Sequence, residues 1–212
     1  MSSCMYIAGC GPGAPEYVTP AVSRAVQNAD VLVGAQRLLD LFPGGEAERV
    51  PLAGDVEGVL ETACRRWREG EQVCILVTGS PGLCSLASAV VRRVGRAHCR
   101  ILPGVSSVQV ACARLGADWQ NIRVVNAHNG KPDEEVSASD AGPKTAIFLG
   151  RPESGRWAAQ FIGRIRRPVR LFACEELTLP EEHVHEVDID ELKTLDFPSR
   201  TVLLVVEEGE LS

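Results

Sequence analysis

Short runs rich in β-formers alternate with segments of helical period through the first half of this 212-residue chain, and that alternation narrows the fold more than any other feature. Residues 5–9, 31–34, 49–52, 73–78 and 99–102 read as strands. Thr19 is placed to cap a helix with Pro20 at its first position, and Ala21, Val22, Ala25, Val26 and Ala29 form one apolar stripe. Asp55 opens a second helix, on which Val56, Val59, Leu60, Ala63, Cys64 and Trp67 recur at helical spacing until Gly70 ends it. Residues 85–94 and 106–115 predict two more. Strands separated by helices imply crossovers, so a mainly parallel five-stranded sheet covered on both faces is expected.

The second half reads differently. Five strands are expected at 122–127, 144–149, 169–173, 182–187 and 201–206, but only two helices, 153–166 and 188–195, separate them. Fewer crossovers make some neighbours antiparallel, which gives a mixed five-stranded sheet. The fold class is therefore α/β, with two αβα domains. Periodicity breaks across residues 116–121, so the domains are set at 1–117 and 118–212. The charged, Gly- and Ser-rich stretch 129–143 reads as a loop that is either disordered or functional. A domain of about 100 residues buries only roughly two-thirds of its unfolded surface, which favours a homo-oligomer such as a homodimer.

Composition removes several function classes. A formal charge of -6 lacks the basic stripe that nucleic acid demands, and clusters such as residues 164–167 read as solvated helix ends. No apolar run approaches about 18 residues, and the N-terminus carries no basic region before its first strand, so neither membrane nor export is expected and the location is cytoplasmic. Among eight cysteines no C-x-x-C pair occurs, and Cys64, Cys74, Cys99 and Cys112 fall at apolar phase, as reduced packing residues would. His183 and His185 share one strand face and could hold a metal. With no third ligand in view they read as a solvated edge, and no metal is expected.

Three turns stand at the C-terminal ends of first-half strands, where open α/β sheets bind ligands: Gly9-Cys10-Gly11-Pro12-Gly13, Gly79-Ser80-Pro81-Gly82 and Pro103-Gly104-Val105-Ser106-Ser107. Glycine admits a ligand close to the backbone and proline stiffens the bend. Gly9, Gly11 and Ala14 also satisfy the G-x-G-x-x-G/A template of nicotinamide-binding Rossmann enzymes. Against that reading, Pro12, Gly13 and Pro15 disrupt the helix start a pyrophosphate needs, and the end of the second strand offers Gly34-Ala-Gln-Arg37 instead of an acid.

Together the three turns resemble those of the tetrapyrrole (corrin/porphyrin) methylase family, and the likeness covers nearly the whole chain. Within the family, residues 102–116 with Trp119-Gln120 are similar to the branch that methylates carbon 5 of cobalt-precorrin-7 or precorrin-6Y in cobalamin biosynthesis. Val33-Gly34, Arg37-Leu38, His128 with Gly130, and Cys174-Glu175-Glu176-Leu177 echo it. The resemblance implies the tetrapyrrole methylase fold, an S-adenosylmethionine-dependent methyltransferase releasing S-adenosylhomocysteine, and a cofactor in the cleft between domains. Its contacts would be Pro12, Thr78, Gly79, Ser80, Leu83, Ser106, Ser107 and Leu149. Two positions depart from the family, which usually has Asp where Ala14 and Ser80 stand, and Asn129 is wedged between His128 and Gly130. Ala14 and Ser80 leave open a non-catalytic partner subunit, and a same-fold methylase with another substrate stays open too.

A sulfonium methyl is electrophilic and a reduced corrin carbon nucleophilic, so alignment is the main task, with a base to accept the proton lost. His128 and Glu175 are the catalytic candidates. A substrate rich in carboxylates calls for arginines, and Arg37 and Arg114 are expected to bind it, with Arg151 behind them. Any cobalt would belong to the substrate ring. The chain has no room for a carbon-15 methyltransferase and decarboxylase, which is expected as a separate protein.

Overall fold

The computed structural model describes residues 4–211. They form two compact units, one running to Ser106 and the other from Ser107 onward.

The first unit contains β1 (Met5–Gly9), α1 (Pro20–Gln27), β2 (Val31–Gly34), α2 (Gln36–Leu39), β3 (Glu48–Pro51), α3 (Val56–Arg68), β4 (Val73–Val77), α4 (Ala87–Val94) and β5 (Cys99–Leu102). Its sheet has the order β3-β2-β4-β1-β5, and every neighbouring pair is parallel. Both foreseen caps are present: Val22 N–H donates to Thr19 Oγ1 at 3.3 Å and Gly58 N–H to Asp55 Oδ1 at 2.9 Å. The apolar stripe of α1 packs with Leu38 and Leu39 of α2 on one sheet face, beside Ala8, Leu32 and Leu76. Leu60, Ala63 and Cys64 of α3 join Ala87 and Val90 of α4 on the other, beside Ile7, Val33 and Ile75. Period two along each strand divides the residues between the two layers. Helix α2 was not foreseen, because four residues are too few to display a period.

The second unit contains α5 (Ser107–Arg114), β6 (Ile122–Asn126), β7 (Lys144–Leu149), α6 (Pro152–Ile162), β8 (Val169–Glu175), β9 (His183–Val187), α7 (Ile189–Thr194) and β10 (Thr201–Glu207). The order is β6-β7-β10-β8-β9, parallel between β6 and β7 and antiparallel elsewhere, the mixed sheet expected. Helices α6 and α7 cover one face through Ala158, Ala159, Phe161, Ile162 and Leu192, and α5 lies against β10.

Three expectations change. The units divide at Ser106, not near residue 118, because α5 buries Val108, Ala111 and Cys112 within the second unit. Helix α6 stops at Ile162 rather than Arg166, where Gly163 caps it and the run of arginines leaves no apolar face to bury. The stretch 129–143 is not wholly free: Ala141 is buried, and Val136 and Ala138 pack on the α6 side of the sheet. All eight cysteines are unpaired, and burial pushes the thiols of Cys10, Cys74 and Cys174 up to about 12. No described helix is long and apolar enough to cross a membrane.

Candidate functional site

Strand order decides what the three glycine turns can do. They follow β1, β4 and β5, and β1 lies between the other two, so all three emerge side by side at one rim. Their backbones interlock. Gly79 N–H donates to the Gly11 carbonyl at 2.8 Å and Gly11 N–H to the Gly79 carbonyl at 3.4 Å, while Cys10 N–H reaches the Val77 carbonyl at 2.9 Å. A Cβ on Gly104 would stand 2.3 Å from the Gly79 oxygen and 2.4 Å from the Gly9 oxygen, and one on Gly9 would stand 2.6 Å from Gly104 N and 2.7 Å from Pro81 Cδ. Only glycine permits that approach. Gly11 and Gly79 also occupy positive φ, at 77° and 63°.

Around this knot, Pro12 and Gly79 are buried, Thr78, Ser80 and Leu83 are half-buried, and Ser106 is buried at the end of the third turn. The Arg37 guanidinium donates to the Thr78 hydroxyl, which brings the expected substrate-binding arginine to the second turn. Its charge also lies near Cys10, although burial dominates that thiol.

The second unit has its own rim of candidate residues. Because β6 and β7 run one way and β10 the other, the ends of β6, β7 and β8 meet the starts of β9 and β10 along one edge. His128, Leu149, Thr201, Glu175 and His183 follow one another there. His128 N–H donates to Asn126 Oδ1 at 3.2 Å, and its Nδ1 lies 3.3 Å from the Leu149 carbonyl. A carbonyl can only accept, so Nδ1 is the donor in this contact, and in the neutral imidazole that tautomer leaves the lone pair on Nε2. Gly150 makes the arrangement possible, since a Cβ there would fall 2.2 Å from His128 Nδ1.

Ser154 ties the same ends together. Its hydroxyl donates to the Ala127 carbonyl at 2.7 Å and accepts from the N–H of Arg151 at 3.1 Å and of Gly150 at 3.3 Å. The side chain is wholly buried. Ser154→Ala is expected to destabilise the protein by about 1–3 kcal/mol, read from urea unfolding, because a buried carbonyl loses its donor. Gly150 and Ser154 escaped the sequence reading. Their signal was Pro152, which places Ser154 two residues later in the first helical turn.

Arg114 has a partner within its own chain. Its guanidinium holds Glu182 through two hydrogen bonds, one of them 3.2 Å, and Glu182 in turn accepts from Thr178 N–H. Arg114 keeps the Glu182 carboxyl below the usual carboxylate range, opposed by partial burial and aided by Thr178. This chain of contacts braces the β8–β9 connection, where Glu176 and Thr178 sit at positive φ of 45° and 71°. Glu175 pairs with His183 across the strands and lies 3.7 Å from its Nδ1. The structure thus groups Arg37 with Thr78, His128 with Leu149, and Glu175 with His183. His128 and Glu175 are kept apart by β7 and β10, about 14 Å at three interstrand spacings of roughly 4.8 Å.

A parallel five-stranded sheet followed by a mixed five-stranded sheet has counterparts among solved structures. Residues 5–193 match the model of the tetrapyrrole (corrin/porphyrin) methylases, and the chain belongs to that family. The probable cobalt-precorrin-7 C(5)-methyltransferase of Methanocaldococcus jannaschii is 27% identical over 98% of this chain and 100% of its own length. The cobalt-precorrin-7 C(5)-methyltransferase of Salmonella typhimurium is 26% identical over 95% of this chain and 98% of its own. Other relatives, matched over part of the chain, are named for methylation at carbons 17 and 11. Among solved structures, uroporphyrin-III C-methyl transferase from Thermus thermophilus, complexed with S-adenyl homocysteine, superposes with a TM-score of 0.75 at 19% identity, covering 96% of this chain and 92% of that one.

Proposed function

We propose that this protein transfers the methyl group of S-adenosylmethionine to carbon 5 of a corrin precursor, cobalt-precorrin-7 or precorrin-6Y, in cobalamin biosynthesis. The observation that carries the reading is the knot of three turns at the first-unit rim, where a Cβ on Gly9 or Gly104 would collide with the backbone of a neighbouring turn. End-to-end likeness to two carbon-5 methyltransferases favours that carbon over those named for partial matches.

The rim suits such a cofactor: Pro12, Thr78, Gly79, Ser80, Leu83 and Ser106 offer a rigid edge of backbone groups and hydroxyls. Ser107 and Leu149 of the second unit keep the cofactor role that the family likeness implies. When bound, the sulfonium supplies an electrophilic methyl group. The protein's share is orientation, which in a fixed geometry can lower a barrier by roughly 7–11 kcal/mol. His128 Nε2 accepts the proton lost on methylation, with the Leu149 carbonyl fixing its tautomer. Arg37 steers substrate carboxylates; Arg114 does so only by releasing Glu182. Unpaired cysteines throughout suit a reducing cytoplasm. A homodimer and a separate carbon-15 methyltransferase and decarboxylase complete the proposal.

Two measurements test it. Calorimetric titration with S-adenosylmethionine is expected to saturate despite Ala14 and Ser80; no binding at millimolar ligand would favour a non-catalytic subunit. Mass spectrometry of a corrin intermediate incubated with the chain alone is expected to show one added methyl, located at carbon 5 by NMR. Two methyls with loss of carbon dioxide, or one at another carbon, would overturn the assignment.

A further inference from the structure

The pair His183 and His185, set aside in the sequence for want of a third ligand, has one in the fold. Strands β8 and β9 pair antiparallel with Glu175 opposite His183 and Ala173 opposite His185. Directly opposed residues point to the same sheet face, as do residues two apart on a strand, so Glu175, His183 and His185 share one face. Nitrogen and oxygen atoms of the three lie within 4.8 Å of one another. The face is the one on which Leu171, Ala173 and Val187 meet the α6 core, and the three polar residues extend it toward the rim.

Two features distinguish the group from a solvated edge. The imidazole rings are stacked, with centroids 4.1 Å apart and planes inclined by 19°, although His183 itself is exposed. His185 Nδ1 is buried without a hydrogen-bond partner, a condition that costs free energy unless something binds there. Glu175 is largely buried too, its side chain 16% exposed, and 3.7 Å from His183 Nδ1 is a weak contact for a carboxylate. The Arg114–Glu182–Thr178 brace and the left-handed Glu176 and Thr178 hold the connection that sets Glu175 opposite His183. Strained backbone held in place beside a side-chain cluster is a mark of function.

We infer that Glu175, His183 and His185 form a site for a divalent first-row metal ion such as zinc. Two imidazoles and one carboxylate are a donor set that such ions accept, with three protein ligands and at least one position left for water or another ligand. Ligand atoms about 2.0–2.2 Å from a metal stand closer together than this group does, so binding draws the three side chains inward by small rotamer changes. Glu175 is then a ligand and not a proton acceptor. The site stands apart from the methyl-transfer reading and holds or fails without it.

The test uses the full-length chain carrying no affinity tag, stripped with a chelator, then titrated with cobalt(II) alone in the absence of cofactor and corrin. One equivalent is expected to produce the intense visible ligand-field bands of a protein-bound, low-coordinate ion, and zinc is expected to bleach them. His185→Gln and Glu175→Gln should each weaken binding at least as much as losing an outer-shell partner, about 10–100-fold. The His183→Ala/His185→Ala double variant should abolish it while keeping the far-ultraviolet circular dichroism of the parent. Cys84→Ser, which removes an exposed thiol, should leave the bands unchanged. Zinc is also expected to raise the unfolding temperature of the parent but not of the double variant. Absence of saturable bands, or bands that survive in the double variant, would overturn the site.

Discussion

Gly104→Ala is expected to abolish binding of S-adenosylmethionine and to destabilise the first unit beyond the roughly 1–3 kcal/mol of ordinary overpacking. The new Cβ would lie 2.3 Å from one carbonyl oxygen and 2.4 Å from another, both belonging to the backbone of neighbouring turns. A flexible side chain could swing aside; backbone oxygens at the ends of β1 and β4 can move only by opening the Gly11–Gly79 bridge. Gly82→Ala is the matched control. It lies in the second turn, its Cβ would meet nothing within 4 Å, and its φ is not positive. Its stability is expected to stay within about 0.5 kcal/mol of the parent, as for other unconstrained surface positions. Urea unfolding and calorimetric titration of the two variants separate glycine as steric necessity from glycine as turn filler. If Gly104→Ala folds and binds like Gly82→Ala, the interlocked rim is not the cofactor cradle.

Much of the fold was legible because it follows from local pattern. Helices α1 and α3 repeat apolar residues on one stripe and carry Thr19 and Asp55 as caps, so both can be located without tertiary information. What the pattern cannot carry is ownership. Helix α5 has an apolar face wherever it packs, and only the structure reveals that Cys112 and Val108 serve the second unit. The same limit applies to sites. The three turns could be read from Gly and Pro, but their interlock depends on β1 lying between β4 and β5, which is a matter of strand order. Glu175 and His185 are ten positions apart in sequence, and only the β8–β9 register makes them neighbours. Arg114 shows the same limit from the other side, since the Glu182 carboxylate it holds within its own chain lies 68 positions away and only the fold brings the two together.

His128→Asn is expected to lower kcat by about 10²–10⁴, the usual contribution of a positioned base, while leaving the dissociation constant for S-adenosylmethionine near that of the parent. Glu175→Gln should change kcat far less. The argument rests on the second rim. His128 and Glu175 flank β7 and β10, roughly 14 Å apart at three strand spacings, so they stand at different parts of the rim. His128 has Nδ1 turned to the Leu149 carbonyl, the tautomer that in a neutral imidazole leaves the lone pair on Nε2. Glu175 lies beside His183, its carboxylate 3.7 Å from that residue's Nδ1. Gly150→Ala supplies an independent check, because it leaves the imidazole chemically intact but places a methyl 2.2 Å from His128 Nδ1. It should reproduce the kcat loss of His128→Asn, and combining the two changes should add little, since both remove one oriented group. A full additional loss in the double variant would mean that Gly150 matters for the fold and not for the base. A large loss in Glu175→Gln with His128→Asn nearly unaffected would transfer the proton-accepting role to β8.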